Sequence, residues 1–217
     1  MGLLQSEDRG RLLYVLADGK LREQVDEHTE GAKLRVVKDD DGTVKAEKWE
    51  LTYPGIKGFI TAVTTYDGDY GTNINIAVKD ANDEEFVLSL KANSMYGEDF
   101  LHKLPNIDLA KEITIKPYSF EKDGRKNTGM SLTQDDQKLS NAFNVYDVEK
   151  KEWQVLVEDY PQPDEKTKTK GGEKWTIFFA MRREWLIDHL TEKGLITEPV
   201  ATEDATPAAT EEDPDKF

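Results

Sequence analysis

The chain has 217 residues, of which 37% are hydrophobic and 34% charged, and its formal net charge is −15 at pH 7. This length accommodates one ordinary domain with additions. The lack of cysteine excludes disulfides, thiolate nucleophiles and thiolate metal sites, and it fits a reducing cytoplasm. Residues 1–10 are polar, and no run approaches about 20 apolar residues, so we expect neither a signal peptide nor a membrane span.

Asp-Gly pairs in the first two thirds of the chain predict tight turns between β-strands. They stand at positions 18, 41, 67 and 123, and both residue types tolerate the positive φ of hairpin turns. The first pair separates strands predicted over 12–17 and 20–25. The second separates strands predicted over 33–38 and 44–53. The sequence therefore predicts two N-terminal β-hairpins.

Residues 58–134 combine five predicted strands with one helix. Alternation of apolar and polar residues predicts strands over 58–66, 71–80 and 84–91, and again over 112–118 and 128–134. Helical spacing from Ser94, ended by Pro105, predicts a helix between the third and fourth strands, and residues 121–127 are predicted to be a loop. This order is typical of a five-stranded OB-fold barrel. An SH3-like barrel or a meander packed on a helix would show a similar pattern of strands and turns.

The remainder of the chain is predicted as additions to this barrel. Residues 143–157 suggest a strand pair, 160–172 a loop, and 175–194 a strand that leads into a helix packed back on the barrel. Almost no apolar residues follow Ile196, so residues 197–217 are predicted to be a disordered acidic tail. We therefore predict a mainly β protein with one OB-fold domain over 1–196, whose core spans about 58–135, and a separate tail.

One stretch and the chain end carry a resemblance to a known family. The stretch Leu-Pro-Asn-Ile-Asp-Leu at 104–109 runs into Ile-Thr-Ile-Lys-Pro-Tyr at 113–118, and the chain ends Glu-Glu-Asp-Pro-Asp-Lys-Phe. Together with the element order, these resemble the small single-stranded DNA-binding proteins of tailed bacteriophages. The resemblance covers roughly 12–134 and the last residues. It implies an OB fold that binds single-stranded DNA and an acidic tail that ends in an aromatic residue. Lys216 departs from the acids that commonly precede that residue.

A single-strand site needs aromatic faces for stacking and cations along the backbone path. OB folds place both on strands two and three and on the loops between strands one and two and between four and five. The predicted nucleic-acid-binding residues are Tyr66, Tyr70, Asn73, Asn75, Lys79, Lys91, Lys116, Tyr118, Phe120, Lys122, Arg125 and Lys126. The alternative is that the aromatic residues stabilise the hairpins and that the cations form a solvated turn. A second basic run from Lys166 to Lys174 is interpreted as a loop.

The tail is predicted to recruit replication or recombination proteins. Residues 197–217 hold seven acids against Lys216, so they carry −6 of the −15 and leave −9 on the remainder. The predicted partner-binding residues are Glu211, Glu212, Asp213, Asp215 and Phe217. A plain solubility tail is the alternative, but a terminal phenylalanine adds little to solubility.

The sequence offers no pattern for catalysis, and we expect no enzyme, cofactor or metal. His28, His102 and His189 have no partner at metal-ligand spacing, and no phosphate-binding glycine loop is present. The predicted function is sequence-independent binding and protection of single-stranded DNA in phage replication or recombination, in the host cytoplasm. The alternative is a protein-interaction module or virion-associated β-barrel protein without DNA binding, and a polynucleotide-processing enzyme comes third.

Overall fold

A computed structural model describes residues 10–39, 41–69 and 71–197. Within these ranges the protein is mainly β. The strands are β1 Arg11–Val15, β2 Leu21–Val25, β3 Lys33–Lys38, β4 Val44–Tyr53, β5 Ile56–Gly68, β6 Gly71–Lys79, β7 Glu85–Lys91, β8 Ile113–Lys122, β9 Arg125–Gln134, β10 Gln137–Lys138, β11 Asn144–Asp147 and β12 Glu152–Val155. The helices are α1 Met95–Lys103, α2 Glu165–Lys170 and α3 Glu173–Glu192, and a 3-10 turn spans Leu104–Asn106. Across the described ranges no helix is both long and apolar enough to cross a membrane.

Ten strands form one sheet in the order β10-β9-β8-β5-β6-β7-β1-β2-β4-β3. The two predicted N-terminal hairpins are confirmed, since β1 pairs with β2 and β3 with β4, both antiparallel. They do not form a separate layer, because β1 also pairs with β7 in parallel. Leu13 on β1 and Leu21 on β2 are consequently buried in the same core as the later strands.

The five strands of the predicted barrel, β5 to β9, are present, and α1 lies between the third and the fourth of them. They are adjacent in the order β9-β8-β5-β6-β7, but the described residues contain no pairing between β7 and β9 that would close a barrel. The edge of β7 is occupied by β1 instead, with Leu13 opposite Leu88. The sheet is therefore open.

Helix α1 lies against the edge of β9 that a neighbouring strand would otherwise cover. The amide of Met130 donates to Asp99 Oδ2 at 2.6 Å, and Lys103 Nζ donates to the Met130 carbonyl oxygen, also at 2.6 Å. Because unpaired backbone groups on a sheet edge are costly to bury, these two side chains act in place of a partner strand. Phe100 and Leu101 of α1 meanwhile fill the core beneath the sheet.

The segment after β10 differs in part from its prediction. The strand pair within 143–157 is confirmed as β11 and β12, which form a separate two-stranded sheet. Two predictions were wrong: part of the 160–172 loop is the short helix α2, and the strand predicted before Met181 belongs to α3. The N-terminal half of α3 is helical because Trp175, Phe178 and Phe179 recur at helical spacing and contact one another. The helix packs back on α1, where Arg182 binds Glu98.

Candidate nucleic-acid interface

The β8–β9 hairpin carries most of the predicted aromatic and basic residues. Its strands stay paired as far as Lys122 opposite Arg125, so the predicted loop at 121–127 is reduced to a two-residue turn. Asp123 and Gly124 form that turn with φ of 54° and 70°. Two consecutive positive φ values are typical of the tight turns whose twist matches that of antiparallel strands. The hairpin is therefore a regular ribbon that holds its outward side chains at fixed positions.

Tyr118 and Phe120 lie on one face of β8, with ring centroids 5.8 Å apart and an interplanar angle of 35°. Tyr118 is 37% exposed and Phe120 52%. Tyr118 lies across Gly129 on β9, where an added Cβ would be only 2.5 Å from the tyrosine hydroxyl. Burial, together with the charge of Asp99, raises the pKa of Tyr118. Tyr118 is thus held in place by the sheet, and Phe120 presents the more accessible ring.

The cations of this hairpin have no acidic partners among the residues that the structure describes. Lys116, Lys122, Arg125 and Lys126 are exposed, and none of them forms an ion pair with any residue of the described ranges. Residues 113–134 contain these four basic residues and two acidic residues, so their net charge is +2. Lys and Arg side chains without an ion-pair partner bind phosphate groups readily, because binding has only to release counterions and does not have to break an ion pair within the protein.

An open depression of about 610 Å³ lies beside the two rings. Its lining includes Lys103, Lys116, Tyr118, Phe120, Asn127, Ser131 and Lys138. Sequence reasoning missed Asn127, Ser131 and Lys138, and also Lys103, which is bound to Asp99 and to the Met130 carbonyl oxygen. The register supplies the signal for the first two, because Asn127 lies opposite Phe120 and Ser131 opposite Lys116. Lys138 lies on β10, which pairs with β9 in antiparallel orientation.

The predicted residues on β6 and β7 form a second group. Tyr66, Asn73 and Lys91 lie in one row across β5, β6 and β7. Asn73 is buried and Tyr66 is half-buried, while Lys79 forms an ion pair with Asp83 at 3.0 Å. These residues are less accessible than predicted.

The remaining members of the prediction cannot be joined into one site with the hairpin. Asn75 shares the outward face of β6, and its Oδ1 is buried without a hydrogen-bond partner in the described ranges. Strands β6 and β8 lie on opposite sides of β5, so the two groups occupy different parts of the sheet. Tyr70 lies outside the described residues. The predicted tail residues Glu211, Glu212, Asp213, Asp215 and Phe217 also lie outside them.

Hydrogen bonds hold the β1–β2 turn and the last described residue against other elements of the protein. The Tyr96 hydroxyl of α1 donates to the Leu16 carbonyl oxygen at 3.2 Å, so the β1–β2 turn is held beside α1. At the other end, the Thr197 amide donates to the Val63 carbonyl oxygen at 2.9 Å on β5. The last described residue is therefore attached to β5, five residues beyond Gly58, where the pairing of β5 with β8 ends.

Two glutamates of the described residues, Glu23 and Glu50, are buried and could in principle serve as acids. Glu23 accepts from Arg11 and from the Tyr53 hydroxyl, at 2.5–2.6 Å and 2.8 Å. Although burial opposes it, bonding to Arg11 and Tyr53 lowers the pKa of Glu23. The residue lies on the core side of the sheet, where Leu13 stands opposite it. Its carboxylate is fully occupied by the strands that surround it.

Glu50 forms the second cluster, on the outward face of the same strands. It accepts from the Tyr14 hydroxyl, from Arg22 at 2.8 Å and from Arg35 at 2.7 Å. Burial alone would raise the pKa of Glu50, but these three hydrogen bonds lower it. Both carboxylates are therefore hydrogen-bonded to arginine and tyrosine side chains of neighbouring strands. The described residues also contain no group of three or more His, Cys, Asp or Glu arranged to hold a metal ion.

Comparisons with protein-family models, with curated proteins and with solved structures find no match to this chain. The phage-type resemblance and the non-enzymatic assignment therefore remain predictions.

Proposed function

We propose that this protein binds single-stranded DNA without sequence preference, through the β8–β9 depression. The observation that carries the proposal is the pair of neighbouring exposed rings, Tyr118 and Phe120, flanked by cations that form no ion pair within the described part of the chain. Base stacking on such rings contributes about 1–3 kcal/mol per base and tolerates every base, because each has a π-face. Hydrogen-bond donors and acceptors at Asn127 and Ser131 line the same depression.

We also propose that β5 to β9 and α1 form an OB-type unit. The order β9-β8-β5-β6-β7 and the position of α1 support this assignment. OB barrels are partly open and bind nucleic acid along strands two and three and through the loops that flank them. In this unit β1 extends the sheet beyond the third strand. The binding path therefore centres on the fourth and fifth strands.

The acidic tail is proposed to recruit replication or recombination proteins of a phage in the host cytoplasm. Its support is the sequence, in which acidic residues precede a terminal phenylalanine. The described chain ends at Thr197, which is attached to Val63 in the part of β5 that pairs with β6 and not with β8. Deletion after Ile196 tests this role: the truncated protein should lose partner binding and keep DNA binding.

The test of DNA binding is a fluorescence-anisotropy titration of labelled oligo-dT with the full-length protein. Phe120→Ala should weaken binding about 5- to 150-fold, which corresponds to the loss of one stacking contact. Phe59→Ala is the matched control, because Phe59 is similarly exposed, at 42%, but does not line the depression. Equal losses in both variants, or no binding by the unmodified protein, would reject the proposal.

The alternative is a protein-interaction module without DNA binding. One observation favours it, namely the exposed apolar residues of the β11–β12 hairpin, which lie away from the ten-stranded sheet. The titration separates the two functions, because a module of this kind gives no change in oligo-dT anisotropy at any salt concentration.

A further inference from the structure

Tyr118 and Phe120 define a direction along β8. They are two positions apart on this strand, and their ring centroids are separated by 5.8 Å. Bases that stay stacked on one another in DNA lie only about 3.4 Å apart. Two successive bases that each cover one ring therefore have to unstack from each other, and the sugar-phosphate backbone between them has to extend along β8.

The outward face of the β8–β9 hairpin offers four rows of side chains along this direction. Residues opposite each other in an antiparallel pair project from the same face, and so do residues two positions apart. The rows are Lys122 with Arg125, Phe120 with Asn127, Tyr118 with Gly129, and Lys116 with Ser131. Consecutive rows are about 6.7 Å apart, so the four rows span about 20 Å. Cations occupy the two outer rows, and the rings occupy the two inner rows.

The four rows are bounded at both ends. At one end the hairpin stops at its two-residue turn, which follows directly on Lys122. At the other end the next row, Thr114 with Thr133, lines a separate depression of about 500 Å³. We name it the acidic depression, because its charged residues have a net charge of −1. They are Lys57, Lys111, Glu112, Asp135 and Asp136.

The lysines of the acidic depression already bind acids. Lys57 lies 2.6 Å from Glu112, and Lys111 lies 2.8 Å from Asp135. A phosphate group that enters this depression meets excess negative charge, and it gains a cation only if one of these ion pairs breaks. The sign of the charge along the outward face therefore changes between the row of Lys116 and the row of Thr114.

We propose that the ligand of the β8–β9 site is a stretch of four extended nucleotides, one on each row, and that Asp135 and Asp136 end the path. It rests on the proposed DNA binding and adds the length of the ligand. An extended single strand advances by roughly 6–7 Å per nucleotide, about twice the spacing in stacked DNA, so four nucleotides match the four rows. The rings hold the two central bases, and the cations of the outer rows bind the phosphate groups on either side. Four nucleotides lie at the lower end of the range of about 4–16 for OB folds.

A length series of unlabelled oligo-dT, in competition with a labelled oligo-dT for the full-length protein, tests the length of the ligand. The affinity should rise steeply from dT2 to dT4, because each added nucleotide contributes a stacking or a phosphate contact. From dT4 to dT8 it should rise only about fivefold, because an eight-nucleotide strand can place four nucleotides on the site in five registers.

Asp135→Asn combined with Asp136→Asn tests the boundary. Both residues have positive φ, 49° and 61°, a conformation that asparagine tolerates. The double variant removes the acid bound to Lys111 and changes the net charge of the acidic depression from −1 to +1. It should bind dT8 roughly 5- to 10-fold more tightly at 50 mM salt, the gain that a slope of about 0.7 per phosphate gives for one added contact. Its affinity for dT4 should change less than about twofold, because the four rows are unaltered.

The matched control is Asp26→Asn combined with Asp188→Asn. It removes the same charge at exposed positions that line neither depression. Its affinities for dT4 and dT8 should both change less than about twofold, because neither acid lies at the end of the path.

The length series separates a wrong path length from a wrong function. If the unmodified protein binds no oligo-dT of any length, both proposals are rejected. If it binds, and Phe120→Ala weakens binding, two results would overturn the four-nucleotide path alone. One is a rise in affinity well beyond about fivefold between dT4 and dT8. The other is an equal effect of the two double variants on dT8. A plateau at dT4, with a gain for dT8 confined to the variant of the acidic depression, is the expected result.

Discussion

Because the cations of the β8–β9 hairpin have no ion-pair partners among the described residues, the salt dependence of DNA binding is the most direct quantitative test of the proposed site. The perturbation is the triple variant Lys122→Gln, Arg125→Gln and Lys126→Gln, at positions that are exposed and have no ion-pair partner in the described ranges. Each phosphate neutralised on a single strand contributes about 0.7 to the slope of log affinity against log salt concentration. Loss of three contacts should therefore lower the slope by about 2.

The same reasoning sets the size of the change in affinity. Between 50 and 200 mM salt, the affinity of the unmodified protein should fall about 20-fold more than that of the triple variant, from the same slope per phosphate. The assay is the oligo-dT anisotropy titration, repeated at four or more salt concentrations.

A matched control removes three other lysines, all of which bind acids. Lys111 binds Asp135 at 2.8 Å, Lys150 lies 3.8 Å from Asp147, and Lys168 binds Glu165 at 3.0 Å. Substitution of these lysines by glutamine changes the net charge by the same amount. The slope should nevertheless stay within about 0.5 of the slope of the unmodified protein, because no phosphate contact is lost. If both triple variants change the slope equally, only total charge matters and the hairpin is not the DNA path.

Two further predictions concern stability. Glu50→Ala should lower the free energy of unfolding by about 3 kcal/mol, measured by urea denaturation, because it leaves the partly buried Arg22 and Arg35 without their carboxylate; a loss below 1 kcal/mol would contradict the structural role of this cluster. Burial of His102 lowers its pKa to about 4 from an ordinary value of 6.5. Protonation of His102 therefore destabilises the folded state. The stability that the neutral ring contributes is complete above pH 6.5 and is lost as the pH falls toward 4. This loss amounts to about 3 kcal/mol and should be absent from His102→Gln, so parallel pH profiles of the two proteins would contradict it.

The local elements could be predicted because their signals are local. Asp-Gly pairs mark turns in any context, and the register of β8 and β9 follows from the alternation of Ile113 and Ile115 with Met130 and Leu132. The prediction ended the strand at 118, whereas β8 continues to Lys122, and this continuation is what brings Phe120 onto the same face as Tyr118. What the sequence established was the order of elements and the composition of the hairpin.

The open sheet could not be predicted, because it depends on contacts between distant residues. The parallel pairing of β1 with β7 joins positions more than 70 residues apart, such as Arg11 and Phe86, and nothing in either strand specifies the partner. The contact of Asp99 and Lys103 with Met130 is of the same kind. For this reason the prediction placed Asn73 and Asn75 on the main binding face and missed Lys138.

The distribution of ion pairs reconciles a charge of −15 with a proposed DNA-binding function. Among the arginines of the described ranges, Arg11, Arg22, Arg35 and Arg182 bind carboxylates. Arg183 is half-buried, and Arg125 is the one that is both exposed and without an ion-pair partner there. A bound carboxylate neutralises the field of its arginine within a few ångströms, whereas the field of Arg125 and its neighbouring lysines reaches about 8 Å into solvent at physiological salt. A strand of DNA at contact distance therefore meets the local +2 of the hairpin, and the acidity of the remainder is screened.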